Sequence, residues 1–433
     1  MLKRNLAVIA AMAIIFAMAG CSETNSSQSE QTTQQATTST SSSQESSTKK
    51  TNSESSSSTE KQGSVQGLST ASADELFTER DLLQTADTSQ AKTIEVKDSS
   101  TIDITEAGVY VIKGTAKDCT IKVNADSEAK VQLVLEGVSV TNSDFPAVYV
   151  LSADKVFVTT AQGSENTLSV TGEFKSDGDT NTDAVIFSKD DLVFNGQGTL
   201  KIESANANGI SGKDDIKVTG GTYEINSALD SIEANDNILI CDGSFTVTSQ
   251  KDALHCENDE DNTLGNIIIS GGSFNITAES DAIQGNTSVT VNGGTFSLSA
   301  AEGIESTSVV INDGDITIKA SDDGINAGNK NKSSTTPSIE INGGKLTISM
   351  GQGDTDAIDA NGNITVNGGT VNITSSGSSF DYDGKAAYNG GTIIINGSEV
   401  NEIPQSMMGG GGMRGGMKGG MNGETGRGMR GGF

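Results

Sequence analysis

The sequence predicts an all-β protein folded as a single-stranded, right-handed parallel β-helix with three-sided coils. Residues 266–326 repeat one pattern three times: an alternating apolar strand, a Gly-Gly or Asp-Gly corner, a second strand, then an acidic residue, a small residue and isoleucine. Alternation with a period of two residues indicates strands, and repeats of roughly 20–30 residues are typical of solenoids. The right-handed sense follows from the general handedness of crossovers between parallel strands.

The spacing of the corners gives the length of one coil. Most steps between successive corner glycines are 20–22 residues, which suits three short strands joined by three turns. The two longest steps predict inserted loops at 257–265 and 328–337, and insertions in solenoids often border a binding face. The composition agrees, because 51 glycines and only three prolines supply turns without removing donors from the strands.

Charge excludes one class of partner. The formal net charge is −29, whereas a nucleic-acid phosphate backbone requires clustered lysine and arginine. A surface this acidic attracts cations instead, so nucleic acid is not an expected partner.

The N-terminal stretch, residues 1–21, predicts a lipoprotein signal peptide. Lys3 and Arg4 precede an apolar run at 6–19, and Gly20 and Cys21 follow it. The ending Ala-Gly-Cys resembles a bacterial lipobox, in which Cys21 is acylated; an ordinary cleaved signal is the alternative. We therefore expect an exported protein on the extracellular face of the cell membrane, touching the membrane only through this lipid anchor.

Three further segments complete the predicted organisation. Residues 22–72 are rich in serine and threonine and predict a disordered linker. Residues 73–405 form the β-helix, in which 73–84 predict a short helical or capping segment over the first exposed coil. Residues 406–433 form a Gly/Met-rich flexible tail. We expect a monomer, and we expect the three cysteines after Cys21 to be small buried hydrophobes.

Several segments resemble a family of bacterial lipoproteins, the carbohydrate-binding (cellulose- and polygalacturonate-binding) β-helix domain proteins, whose fold is like that of pectate lyases. These segments include FTERDLLQTAD, ITEAGVYVIKGTAKDCTIKV, AKVQLVLEGVSVTNSDFPAVYV and NGISGKDDIKVTGGTYEI. The resemblance implies carbohydrate binding, calcium sites on the helix and no established catalysis. Family members often carry Asp-Asp-Gly-Ile in successive coils, whereas this chain keeps it only at 322–325 and departs from it at 208–210 and 230–232.

Two polar columns follow the repeat. In most coils an acidic residue precedes a small residue and an apolar one, and a second polar residue follows three positions later. The first column is Asp183, Asn208, Asp230, Asp252, Asp281, Glu302, Asp323 and Asp356, and the second is Glu233, His255, Gln284, Glu305, Asn326 and Asp359. Strand side chains alternate, so both columns are expected beside one outer edge.

Stacked carboxylates predict a bound cation. Two such charges ~4.8 Å apart repel by roughly 3–4 kcal/mol at an effective dielectric constant near 20. Calcium takes six to eight oxygen ligands and would relieve this repulsion. The alternative is that these acids are ordinary solvated residues at the corners. The predicted Ca²⁺ ligands form three groups. The groups are Asp230, Glu233 and Asp252; Asp281, Glu302 and Glu305; and Asp323, Asn326, Asp356 and Asp359.

Binding is favoured over catalysis. No arginine occurs between Arg80 and Arg414, which argues against an arginine-based lyase and leaves Lys213, Lys251 or Lys319 as candidate bases. The predicted sugar-binding tyrosines are Tyr223, Tyr382 and Tyr388. The sequence thus predicts a non-catalytic surface lipoprotein that binds acidic polysaccharide, pectin-like or polygalacturonate-like, with Ca²⁺; cellulose is a further candidate ligand. The alternatives are a calcium-dependent polysaccharide lyase and a calcium-stiffened scaffold or adhesin.

Overall fold

The computed structural model describes residues 76–330, 332–352 and 355–404. Its regular elements in these ranges are β-strands, from β1 (Lys92–Glu95) to β34 (Ser398–Val400). Every ladder is parallel except the terminal hairpin of β34 with β33 (Thr392–Ile395). The predicted signal peptide, linker and Gly/Met-rich tail lie outside the described residues. No helix in the described ranges is long and apolar enough to cross a membrane.

The strands form three ladders, because most strands pair with the strand three positions further along the chain. This arrangement confirms the parallel β-helix with three-sided coils; its right-handed sense stays a prediction. We call the ladders face A, face B and face C. Four long strands each bend at a corner and contribute to two faces. They are β3 (Gly108–Lys117), β5 (Lys130–Asn142), β21 (Asp281–Val291) and β23 (Glu302–Ile311).

Face A carries the two polar columns. Besides the first halves of β21 and β23, it comprises β2 (Ser100–Ile104), β4 (Cys119–Asn124), β6 (Val148–Ser152), β9 (Ala184–Ser188), β12 (Asn208–Gly212), β15 (Ile232–Ala234), β18 (Leu254–Cys256), β25 (Ile325–Ala327), β28 (Ile358–Ala360) and β31 (Asp381–Tyr382).

Face B follows face A in each coil, and face C completes the coil. Face B comprises β1, β7 (Lys155–Thr160), β10 (Asp191–Gly196), β13 (Ile216–Val218), β16 (Asn237–Ile240), β19 (Asn266–Ile269), β26 (Ser338–Ile341), β29 (Asn363–Val366) and β32 (Ala386–Tyr388), with halves of the four bent strands. Face C comprises β8 (Glu165–Val170), β11 (Thr199–Ser204), β14 (Thr222–Ser227), β17 (Ser244–Ser249), β20 (Ser273–Ala278), β22 (Thr295–Ala300), β24 (Asp315–Ala320), β27 (Lys345–Met350), β30 (Thr370–Thr374) and β33, with halves of β3 and β5.

An aromatic stack runs through the core behind face C. Tyr223, Phe245, Phe274 and Phe296 occupy one inward position of four successive coils, with ring centroids 5.1, 4.8 and 4.6 Å apart. Each such pair contributes about 0.5–1.5 kcal/mol beyond the burial of its surface. Tyr223 is only 2% exposed, and its hydroxyl donates to the Gly220 carbonyl at 2.6 Å. The prediction that Tyr223 binds sugar is therefore wrong: it is a core residue.

An asparagine ladder fixes the corner between faces B and C. The members are Asn292, Asn312, Asn342, Asn367 and Asn389. The side-chain amide of each one after Asn292 donates to the side-chain oxygen of the asparagine one coil earlier, at 2.7–2.8 Å. Glycines follow these asparagines because the turn is tight. Gly344 has φ 75°, and a Cβ there would lie 2.6 Å from the Gly314 carbonyl oxygen.

The segment before β1 does not cap the first coil, and in this respect the prediction for residues 73–84 is wrong. Residues 76–84, which we call the strap, lie against the outer surface of face B. Leu76 and Phe77 pack on Leu239 of β16 and Ile268 of β19. These outward side chains are apolar, so covering them stabilises the strap in this position.

Polar contacts hold the rest of the strap against earlier coils. The Gln84 side chain donates to the Thr219 carbonyl at 2.9 Å and accepts from the Gly196 N–H at 2.9 Å. Asp81 is fully buried and lies 3.7 Å from the Lys155 ammonium. The strap thus crosses several coils and covers part of the outer surface of face B.

The three cysteines among the described residues are free. Cys119 and Cys256 are buried, as predicted, whereas Cys241 is only half-buried beside the strap contact of Leu239.

Replacing Phe77 tests the strap. We expect Phe77→Ala to lower the free energy of unfolding by about 3 kcal/mol, because it removes a buried ring from a packed apolar contact. Leu83→Ala, in the same segment but 56% exposed, is the control and should change it by less than about 0.5 kcal/mol. Urea titration followed by circular dichroism measures both, and equal effects would mean that the strap is not docked on face B.

Candidate functional site

The strand register confirms that the polar columns stack. In the second column Glu233, His255, Gln284, Glu305 and Asn326 are partners in successive parallel pairs, each one coil from the next. The same pairing continues to Asp359 and then Asp381. The sequence analysis missed Asp381 because no isoleucine marks its coil.

The first column is confirmed in part. Asp281 pairs directly with Glu302. The other members are aligned indirectly: the buried apolar residue two positions after each of them pairs with its counterpart in the next coil. The assignment of Asp183 is off by one residue, because Ala184 is the partner of Asn208. The irregular stretch before β9 contains no Gly-Gly corner that could have fixed this position from sequence.

Main-chain amides partly satisfy the first column. The N–H of Asp252 donates to Asp230 Oδ1 at 3.0 Å, and the N–H of Asp281 donates to Asp252 Oδ1 at 2.9 Å. The same bond joins the Asp356 N–H to Asp323 Oδ1 at 3.1 Å. These carboxylates therefore have a structural role: one oxygen closes the corner, and the second oxygen remains for other partners.

The columns line an open groove on face A with a volume of about 460 Å³. Its wall includes Asp252, Asp281, Glu302 and Glu305, together with the basic side chains Lys251, His255, Lys330 and Lys332. Both predicted insertion loops border it, since Glu257 comes from the first loop and the last two lysines come from the second. A smaller cavity of about 270 Å³ lies between the loops and is lined by 258–262, Asn286 and the same two lysines. We call the larger one the carboxylate groove.

The first predicted metal group already contains basic side chains. Lys251 Nζ lies 2.8 Å from Asp230 Oδ2 and 3.7 Å from Asp252 Oδ2, and His255 Nδ1 lies 3.2 Å from Asp230 Oδ2. The Glu233 carboxylate accepts from Asn208 and Ser211 at 2.7 and 2.9 Å.

Protonation follows from these contacts. Burial alone would raise the pKa of Asp230, but hydrogen bonds from His255 and Lys251 bring it below its usual value. Burial likewise opposes charge on His255 and Lys251, yet their bonds to Asp230 raise both pKa values. This group is a neutralised ion cluster and fits Ca²⁺ poorly.

The second group is carboxylate-rich. Oxygens of Asp281, Glu302 and Glu305 lie within 4.8 Å of one another. Burial and the charges of Asp252, Glu302 and Glu305 raise the pKa of Asp281 to about 8. Burial and the charge of Glu305 raise the pKa of Glu302 to about 7. The three acids are thus too crowded to be fully ionised together near pH 7 without additional positive charge.

The third group is also acidic, but the amide nitrogen of Asn326 bonds to the second group. Burial and the charges of Asp359, Asp322 and Asp356 raise the pKa of Asp323 to about 7, against the opposing effect of the Asp356 N–H. Burial and the charges of Asp356 and Asp381 raise the pKa of Asp359 to about 6. The Asn326 amide instead donates to Glu302 at 3.1 Å and to Glu305 at 3.2 Å, so it belongs with the second group.

A further acidic cluster was missed. Asp214, Asp215 and Asp236 meet at the corner between faces A and B, with oxygens within 4.8 Å of one another. Burial and the charge of Asp191 raise the pKa of Asp214 to about 6. The Asp-Asp pairs at 190–191 and 214–215 are the signal that could have indicated it, one coil apart. Asn237 and Asn258 hydrogen-bond to this cluster at 2.8 and 3.1 Å.

The remaining predicted ligand tyrosines are half-buried at the C-terminal end. Tyr382 and Tyr388 pack against the edge of the core, and the Tyr388 hydroxyl donates to the Gly391 carbonyl at 2.7 Å. Neither residue lines the carboxylate groove.

Comparison with known proteins shows the family. A family model described as "Carbohydrate-binding domain-containing protein" matches residues 98–357 and 301–419, more than half of the sequence. The chain therefore belongs to this carbohydrate-binding domain family. A relative of the same description from Acetivibrio thermocellus is 36% identical over 126 residues, which is 29% of this chain. The match spans 44% of that relative's length, so this chain covers less than half of it.

One solved structure also shows similarity: the polysaccharide lyase-like protein from C. thermocellum, gadolinium derivative. It is 22% identical, and the alignment covers 70% of this chain and 94% of that one with a TM-score of 0.31. The fold assignment rests on the strand register above and does not draw on this superposition.

The raised pKa values predict that stability without divalent cations falls as pH rises. An unfolded chain releases the protons of Asp281 and Glu302 near their ordinary values of 3.8 and 4.5, whereas the folded chain holds them to about 8 and 7. Between these limits the folded state binds more protons, so deprotonation favours unfolding.

Asp281→Asn mimics the protonated carboxyl and should remove part of this dependence. We expect it to raise the Tm in EDTA by about 3 °C at pH 8 and to leave it nearly unchanged at pH 5. Thermal denaturation across pH 5–8 measures this. Glu279→Gln, an exposed acid nearby, is the control; if both variants keep the wild-type slope, the cluster does not hold those protons.

Proposed function

We propose that this chain is a non-catalytic lipoprotein, anchored through Cys21 on the extracellular face of the membrane, that binds acidic polysaccharide through Ca²⁺ in the carboxylate groove. The observation that carries the proposal is the stack of under-neutralised carboxylates along face A. Membership of a carbohydrate-binding family supports the polysaccharide, and the oxygen chemistry of the groove supports the cation.

The donor set fits calcium in two of the three predicted groups. Calcium prefers carboxylate and amide oxygens, which Asp281, Glu302 and Glu305 supply in the second group and Asp323, Asp356 and Asp359 in the third. The raised pKa values in both groups have a physical cause that a cation would remove, namely crowded negative charge in partly buried positions. Lys251 and His255 occupy the first group, so Asp230, Glu233 and Asp252 are not part of the proposed sites.

Calcium supplies positive charge that can join two negatively charged partners. Uronate carboxylates carry the same sign as the groove, so they bind this protein only where a cation lies between them. The columns run along the helix axis with one position per coil, about 4.8 Å apart. A linear polyanion lying along face A would therefore meet equivalent groups repeatedly, and several weak contacts would add up to useful affinity.

The lyase alternative has less support. Proton abstraction needs an unprotonated base, and the ion pair with Asp230 raises the pKa of Lys251. Lys319 lies on the outward side of face C, away from the groove. Lys213 lies with its ammonium 5.8 Å from the Phe187 ring and does not line the groove. Incubation with polygalacturonate and Ca²⁺ should give no rise in ultraviolet absorbance from unsaturated uronide, and such a rise would establish lyase activity.

The scaffold alternative shares the calcium sites but predicts no ligand. Cellulose is less well supported than a polyuronate, because Tyr223 is buried and leaves only two tyrosines from the predicted stacking set. Pull-down with insoluble polygalacturonate, with and without EDTA, separates these alternatives. We expect the protein to bind the polymer only when Ca²⁺ is present. If Ca²⁺ stabilises the protein but the polymer does not retain it, a scaffold is favoured.

Asp323→Asn tests the cation site. The amide keeps the Oδ1 acceptor for the Asp356 N–H but loses the charge, so we expect Ca²⁺ affinity at this site to fall roughly tenfold, and polygalacturonate retention with it. Calorimetric titration with CaCl₂ measures the first effect. Asp322→Asn is a matched control, because Asp322 is adjacent in sequence but exposed; similar losses in both variants would mean that only overall charge matters.

A further inference from the structure

One lysine is inserted into the second carboxylate group from the neighbouring loop. The Lys330 ammonium forms an ion pair with Glu305, whose side chain is only 4% exposed, while the Lys330 side chain is 35% exposed. Lys330 lies within the second insertion loop and lines both the carboxylate groove and the smaller cavity beside it. Its ammonium therefore lies at the boundary between the two spaces.

The backbone of Lys330 is held independently of its side chain. Its N–H donates to Thr307 Oγ1 at 3.0 Å, and the Thr307 hydroxyl donates to the Asn286 carbonyl at 2.7 Å. The Gly328 N–H also donates to the Ser306 carbonyl at 3.0 Å. Because these bonds fix the base of the loop, the flexible four-carbon side chain can leave Glu305 without undocking the backbone.

Lys330 neutralises its surroundings only in part. One ammonium faces three carboxylates, those of Asp281, Glu302 and Glu305. A divalent cation carries twice the charge and binds several oxygens at once, whereas a lysine is a single charge with three donors. The ammonium and the cation would need the same Glu305 oxygens, so they compete for the site.

We propose that Lys330 is a built-in counter-ion of the Asp281/Glu302/Glu305 group, that Ca²⁺ displaces it, and that the released ammonium then binds a carboxylate of the polysaccharide. The inference rests on the proposed function and adds a coupling between its two ligands. Cation binding exposes a positive charge at the wall of the groove, so a polyuronate binds more tightly once calcium is present. Lys251 differs, because its ammonium contacts two carboxylates outside this group, those of Asp230 and Asp252.

Calorimetric titration with CaCl₂ alone tests the competition. We expect Lys330→Gln to bind Ca²⁺ roughly tenfold more tightly at one site than the wild type, because the competing charge is absent. Lys319→Gln makes the same charge change on the exposed side of face C and should leave the affinity within about twofold of the wild type. Equal or weaker binding by Lys330→Gln would overturn the inference while leaving the proposed function intact. A wild type that binds no Ca²⁺ would overturn both.

Titration with a galacturonate oligomer at saturating Ca²⁺ tests the released ammonium. Lys330→Gln should bind the oligomer roughly tenfold more weakly than the wild type, even though its calcium site is filled. Lys330→Arg keeps the charge and should retain most of the affinity. If Lys330→Gln binds Ca²⁺ more tightly but binds the oligomer like the wild type, the lysine is a counter-ion only, and the second half of the inference is wrong.

Discussion

The structure depends on one constraint: parallel coils stack in register at the spacing of neighbouring strands, about 4.8 Å. Each residue therefore lies directly over its counterpart in the next coil, and like meets like wherever the sequence repeats. Where the repeated side chains attract one another the stack is stabilised, as in the asparagine ladder from Asn292 to Asn389 and the rings from Tyr223 to Phe296. Where they repel, the same constraint concentrates charge.

The carboxylates of face A show how the fold tolerates that charge. Main-chain amides bond to one oxygen of Asp230, Asp252 and Asp323. Lysines on the adjoining corner and loop neutralise part of the remainder. What is left appears as raised pKa values at Asp281 and Glu302, and the cation that we propose would relieve this free-energy cost of stacking. The strap covers part of face B and not face A. The charge on face A therefore faces solvent, where a polymer can reach it.

The repeating features of this fold could be predicted from sequence, and the features that occur once could not. The corner glycines gave the coil length and the acidic motif gave the second polar column, because both recur with most coils, and two longer steps between the same glycines marked the insertions. The strap was placed wrongly, since its docking on Leu239 and Ile268 depends on apolar residues more than 150 positions away. Tyr223 was assigned to the surface, although period-two alternation places it on the same inward side of β14 as Ile225.

The sequence by itself determined the coil, its three sides and the edge on which acidic residues gather, because period-two alternation and tight corners are local properties. The tertiary structure decided which acids are paired with basic side chains and which are crowded together with raised pKa values. Lys251 reaches Asp230 and Lys330 reaches Glu305 only because consecutive coils bring residues about twenty positions apart into contact. Electrostatic energy depends on distances between side chains and on their burial, and neither quantity can be read from the order of residues along the chain.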